Sequence, residues 1–115
     1  MSHEHYKNLI DTLYECASEC IHCEMACLEE QDVKMLERCI RLDMECAETC
    51  IYSAKMLSMG TEFSSDIIAL CSRICEECAE ECEKHSQKMD HCRTCAEICR
   101  KCYEECRSMA DVNVM

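Results

Sequence analysis

Sixteen of the 115 residues are cysteine, and their spacing is regular. The pattern Cys-Ala-x-x-Cys occurs four times, at Cys16 and Cys20, Cys46 and Cys50, Cys78 and Cys82, and Cys95 and Cys99. The other cysteines extend the same series in steps of three, four or seven: Cys23 and Cys27, Cys39, Cys71 and Cys75, Cys92, Cys102 and Cys106. On an α-helix, side chains three and four apart share a face, with Cβ atoms about 5–6 Å apart. Two thiolates at that spacing can share one small metal ion. A disulfide between them is poor, because it wants Cβ atoms about 3.8 Å apart. Three readings of the cysteines are open: a metal core, a metal-free thiol core and a disulfide scaffold. The spacing favours the metal core.

Thiolates select soft ions, which leaves Cu(I), Zn(II) and iron–sulfur clusters. Structural zinc usually sits in a closed tetrahedron of Cys-x-x-Cys knuckles on turns. Iron–sulfur ligands come from tight loops, often ending in Cys-Pro. Cys92 and Cys95, and Cys99 and Cys102, imitate such pairs, but they lie inside a strict helical series without proline or glycine. Charge narrows the choice further. Sixteen thiolates in a dry core need about one positive charge each. Cu(I) supplies one charge per ion and tolerates bridging sulfurs. The expectation is therefore about one Cu(I) per cysteine, roughly sixteen ions, with protons released on loading. An iron–sulfur protein and a zinc or general thiol buffer are the alternatives. No nucleophile–base pair points to catalysis.

The elements that position these sulfurs are helices. There is no proline and one glycine, Gly60. The periodicity predicts an all-α, antiparallel four-helix bundle, one domain over 1–115, with helices at about 4–30, 33–58, 62–85 and 90–110. The inward faces are read as Leu9, Leu13 and Cys16 to Cys27; Leu36, Cys39, Asp43, Cys46, Cys50 and Leu57; Ile67, Cys71 to Cys82 and His85; and Cys92 to Cys106 with Met109. Asp32 is expected to cap helix two, Gly60 to end it, and Thr61 or Ser64 to start helix three. A turn is expected over 85–90, and a frayed tail from Asp111. The acidic pairs, including Glu76, Glu77, Glu80, Glu81, Glu104 and Glu105, read as a solvated face.

One end of such a bundle gathers His85, His91, Met35 and Met89 near Cys27, Cys39, Cys82 and Cys92. These residues read either as a mouth that passes Cu(I) inward or as surface histidines and capping methionines. Asp43 is in phase with Cys39 and Cys46, as an ion ligand, a histidine partner or an edge residue. His22 is out of phase and read as surface. His3 and His5 precede the core. Ile21, Ile74 and Ile98 flank the cysteine stripe as packing or oligomer contacts.

Composition excludes several classes. Asp and Glu number 24 against 12 Lys and Arg, a net charge of −12 that disfavours nucleic acid and anionic membranes. No apolar run approaches the roughly 18 residues of a membrane span. No secretory or twin-arginine signal is visible at the start, so a reducing cytoplasmic location is expected, where cysteines are metal ligands more often than disulfides. Leu, Ile, Val and Phe number only 19 of 115, the range of a disordered chain. Buried cysteine behaves as a small hydrophobe, and with nine methionines it restores a core.

This series resembles the bacterial copper storage protein family, in its cytosolic branch. The likeness is carried by residues 39–46 (Cys-Ile-Arg-Leu-Asp-Met-Glu-Cys), by 70–82, and by 92–106 followed by Arg107, Ser108, Met109 and Ala110, and it covers about 13–110. The resemblance implies a homotetramer of four-helix bundles with Cu(I)–thiolate chains along each core. It also implies that Asp43 and His85 or His91 join the cysteines near the open end. A copper chaperone or chelator is the expected exchange partner. Helix two carries only three cysteines, and Ser53 stands where another core thiol fits the series.

Overall fold

The structure is a computed structural model that describes residues 3–114, with side chains from 4 to 109. Four helices make the molecule: α1 (Lys7–Leu28), α2 (Glu37–Ser58), α3 (Ser64–Glu83) and α4 (Asp90–Val114). Short 3-10 turns, His3–Tyr6 and Val33–Leu36, lead into α1 and α2. Successive helices run antiparallel, and α4 packs on both α3 and α1, closing a bundle 46 × 22 × 18 Å in extent. The expected architecture and helix count are what the chain adopts.

The alanine of each Cys-Ala-x-x-Cys repeat lies in a helix contact: Ala17, Ala47, Ala79 and Ala96 are all buried. Their small side chains let neighbouring helices approach closely enough for the cysteines to meet. All sixteen cysteines are free and buried. The core also holds Leu9, Leu13, Leu36, Leu42 and Leu57. On α3 the inward isoleucine is Ile68, at 1% exposure, and not Ile67, which is half-buried. Ile68 is three residues before Cys71, so it shares the cysteine face more closely than its neighbour does.

The helix ends follow backbone geometry more than side-chain caps. Gly60 takes φ 72°, and the N–H groups of Gly60 and Thr61 return to the carbonyls of Leu57 and Met56. This is a Schellman ending, which needs the left-handed conformation that glycine adopts without strain. Asp32 makes no side-chain cap; its carbonyl instead accepts from the Met35 N–H at 3.2 Å, forming the 3-10 turn. Helix α3 starts at Ser64, one of the two residues expected there, with Phe63 in the cap position and no side-chain cap, while the Thr61 hydroxyl accepts from the Phe63 N–H at 3.1 Å. The turn between α3 and α4 closes without glycine through successive short-range bonds, His85 N–H to Cys82 and Lys88 N–H to His85 among them. The backbone of α4 stays helical to Val114, so the tail expected to fray from Asp111 continues the helix that far. Met115 lies outside the described residues.

Candidate metal centre

Three- and four-residue steps put every cysteine on the inward stripe of its helix, and antiparallel packing brings the four stripes together. Across helices, Cys16 Sγ lies 3.8 Å from Cys99, Cys20 3.6 Å from Cys99, Cys39 3.6 Å from Cys82, and Cys46 3.8 Å from Cys75. Within helices, Cys46 and Cys50, Cys71 and Cys75, and Cys95 and Cys99 are each 3.9 Å apart. Ligands held about 2.3 Å from one metal ion are at most about 4.6 Å apart. The sulfurs therefore stand at ligand spacing before any ion enters.

The sulfurs fall into four-membered groups whose atoms all lie within 4.8 Å of one another. Cys50, Cys71, Cys75 and Cys102 form one. Cys50 and Cys75 recur with Cys16 and Cys46; those two recur with Cys20 and Cys99; and these recur with Cys78 and Cys95. Membership thus passes along the bundle as a continuous column. Cys23, Cys27, Cys39 and Cys92 form a further group at the end where α1 and α3 finish.

Asp43 stands between that end group and the column. It is 0% exposed, and its Oδ1 accepts from the thiols of Cys78 and Cys95 at 3.3 Å and of Cys82 at 3.7 Å. Its Oδ2 accepts from Cys39 at 4.0 Å. Burial foremost, then the titratable neighbours Cys95, Cys78 and Cys39, pushes its carboxyl up to about 12. In the thiol core it is therefore a neutral acid. Asp43 is central to the bundle cross-section, which removes the reading of it as an edge residue. The thiols also share protons among themselves. The neighbouring Cys16 is foremost in holding Cys20 and Cys99 up, and the neighbouring Cys20 is foremost in pulling Cys78 and Cys95 down.

The end beyond Asp43 is the predicted mouth. Met89 Sδ accepts from the Cys92 thiol at 4.0 Å. His85 is half-buried, and its Nε2 lies 3.2 Å from Glu81 Oε2. His91 is also half-buried, and its Nε2 has no hydrogen-bond partner among the described residues. Met35 is exposed, as are His22 and His5; the side chain of His3 lies outside the described residues. Ile74 and Ile98 pack against the core edge, and Ile21 is exposed.

Glu81 is the buried residue at this end that the reading of a solvated acidic face missed. It is buried, at 6% exposure, and its carboxylate takes Arg38 at 3.2 Å, Lys84 at 3.1 Å and His85. Burial alone would raise its pKa, but the bonds from Lys84, His85 and Arg38 outweigh that and hold it low. The signal was present in the phase: Glu81 lies three residues after Cys78 and four before His85, both on the inward stripe. Glu105 likewise leaves the solvated class, accepting from the buried Thr12 hydroxyl at 2.8 Å.

Comparisons with known proteins agree with this geometry. The family described as copper storage protein matches residues 2–111. A cytosolic copper storage protein from Streptomyces lividans, solved with five coppers, is 35% identical and superposes with a TM-score of 0.91, covering 95% of this chain and 94% of that one. Apo copper storage protein 3 from Bacillus subtilis is 45% identical, with a TM-score of 0.85 and coverage of 91% and 98%. The cysteine-rich protein YhjQ of Bacillus subtilis is 46% identical over 101 residues, 88% of this chain and 92% of that one. A helical bundle filled with thiols at metal-ligand spacing, matched by these relatives over nearly its whole length, belongs to the copper storage protein family.

Proposed function

We propose that the chain stores Cu(I) in the cytoplasm, holding about one ion per cysteine, roughly sixteen, along the sulfur column. The observation that carries this reading is the shared membership of the four-sulfur groups. A sulfur that faces two groups must bridge ions. Bridging suits Cu(I), whose single charge balances one thiolate. Unshared zinc tetrahedra would strand two negative charges at each site. The iron–sulfur alternative fits less well, since ligands on four straight helix faces supply no wrapping loop.

All sixteen cysteines serve as ligands in this reading. Asp43 adds an oxygen where the column meets the mouth group, and His85 and His91 add nitrogens at the mouth. Each thiol gives up its proton as an ion binds, so loading acidifies the medium. The chain performs no catalysis, assembles as a homotetramer of bundles, and exchanges ions with a copper chaperone or a small chelator. The neutral thiol core lets the bundle fold empty, which a reservoir requires.

The test is an anaerobic Cu(I) titration against a strong chelator, with ions counted per chain by native mass spectrometry. Saturation near sixteen, with about one proton released per ion, is expected. Saturation at four or fewer would falsify the storage reading.

A further inference from the structure

Ser53 on α2 is 1% exposed, and its Oγ has no hydrogen-bond partner among the described residues. Buried hydroxyls without a partner are uncommon and call for a physical reason. Two hydroxyls on the same helix and one in the turn after α3 take the local solution. Thr49, Ser58 and Ser86 donate to the carbonyl four residues back, at 2.7, 2.8 and 3.0 Å. The Thr49 carbonyl stands at that register for Ser53, yet Ser53 does not use it. Its position is three residues after Cys50 and four before Leu57, both fully buried on the inward face.

The register of the bundle identifies what lies opposite. Helices α2 and α4 run in the same direction, and Asp43 meets Cys95, Cys46 groups with Cys99, and Cys50 groups with Cys102. The next step on both helices pairs Ser53 with Cys106. On α3, Cys46 meets Cys75 and Cys50 meets Cys71, so the next partner of Ser53 is Ile68. By this register the layer beyond the group of Cys50, Cys71, Cys75 and Cys102 holds Ser53, Cys106 and the buried Ile68. Cys106 is fully buried and stands four residues after Cys102 on the same face of α4.

We propose that Ser53 terminates the metal column: on loading, its hydroxyl donates to the thiolate sulfur of Cys106 and so holds the last Cu(I) site. This rests on the storage reading above. Cu(I) replaces the proton on Cys106, that proton leaves to the buffer, and the serine keeps its own proton and donates it. An end thiolate has ions on one side only and keeps excess negative charge, which a charge-assisted hydrogen bond stabilises. A hydroxyl at this position also ends the column, where a thiol would lengthen it.

The experiment titrates the full-length protein anaerobically with Cu(I) against a chelator, comparing wild type, Ser53→Ala and Ser53→Cys, and melts each metal-free protein. Ser53→Ala is expected to lower the affinity for one ion about tenfold and to leave the others unchanged. Its metal-free melting temperature should be equal or higher, because an unsatisfied hydroxyl has been removed. Ser53→Cys is expected to bind one additional ion. Superimposable wild-type and Ser53→Ala titrations, with the wild type saturating near sixteen, would overturn the role of Ser53 alone. So would a lowered metal-free melting temperature for Ser53→Ala, since the hydroxyl would then have a partner in the thiol state. Wild-type saturation at four or fewer would remove the storage reading and this inference with it.

Discussion

Where α1 and α3 begin, Tyr6, Leu9, Leu57 and Ile68 are each at most 3% exposed, and the Tyr6 hydroxyl donates to Ser64 Oγ at 3.3 Å across the bundle. Where those helices end, the buried groups are of another kind: Asp43 among thiols, and Glu81 gripped by Arg38, Lys84 and His85. The first end is an ordinary hydrophobic plug, with its stability coming from apolar area removed from water. The second is held by charges that compensate one another and sit close to solvent. Between them lies a core of thiols, each a weaker hydrophobe than leucine. The contrast teaches how a chain poor in large apolar residues folds before it is filled. The plug supplies the fixed end, and the polar end sets compensated charges beside the thiols.

The sharpest way to break that division is to empty the plug. Leu57→Ala removes a fully buried side chain and should destabilise the metal-free protein by about 2–5 kcal/mol. Its melting temperature should fall by about 10 °C or more, read by circular dichroism under reducing conditions. A fall of only a degree or two would show that the thiol core, not the plug, carries the fold. At the opposite end, Glu81→Ala leaves Arg38, Lys84 and His85 without their common partner. We expect a loss of about 1–2 kcal/mol in the metal-free form and altered Cu(I) uptake kinetics at unchanged capacity. Stopped-flow mixing with a Cu(I)–chelator complex measures the rate, and an unchanged rate would detach Glu81 from the mouth.

Asp43 tests the boundary between the regions through pH. Its folded pKa is raised to about 12, while the unfolded chain loses the same proton near the ordinary carboxylate value of about 4. The folded state thus binds the extra proton above that value. Its contribution to stability is fully present below about pH 4 and declines as pH rises toward 12. Between pH 5 and 8 the metal-free melting temperature should fall with rising pH, and Asp43→Asn should flatten that fall. Parallel curves for the two proteins would mean that Asp43 is already ionised in the thiol core. The smallest effect belongs to the outer surface. Arg41 and Glu37 form an exposed pair at 3.3 Å, and Arg41→Ala should shift stability by no more than about 0.5 kcal/mol. A larger shift would place that surface in an interface.

Much of this molecule is legible in its one-dimensional pattern. Cysteines at steps of three and four lie on one helical face wherever the helix is placed, because 3.6 residues make a turn. That is enough to assign all sixteen to the interior, to recognise four helices, and to place Gly60 at a helix end, where a positive φ is needed. The misreadings share one cause. Ile67 against Ile68, the missing Asp32 cap and the burial of Glu81 each depend on where a neighbouring helix or turn lies, and local phase carries no such information.

Periodicity within a helix says which side chains turn inward, but nothing about how far one helix slides along another. That sliding decides that Cys16 meets Cys99, that one oxygen of Asp43 receives three thiols, and that the buried Ser53 hydroxyl is left without a hydrogen-bond partner among the described residues. The sequence by itself determined the inventory and its inward direction, because a helix has one period. The tertiary structure alone decided which members of the inventory touch, because the axial register between helices is set by packing the whole core at once.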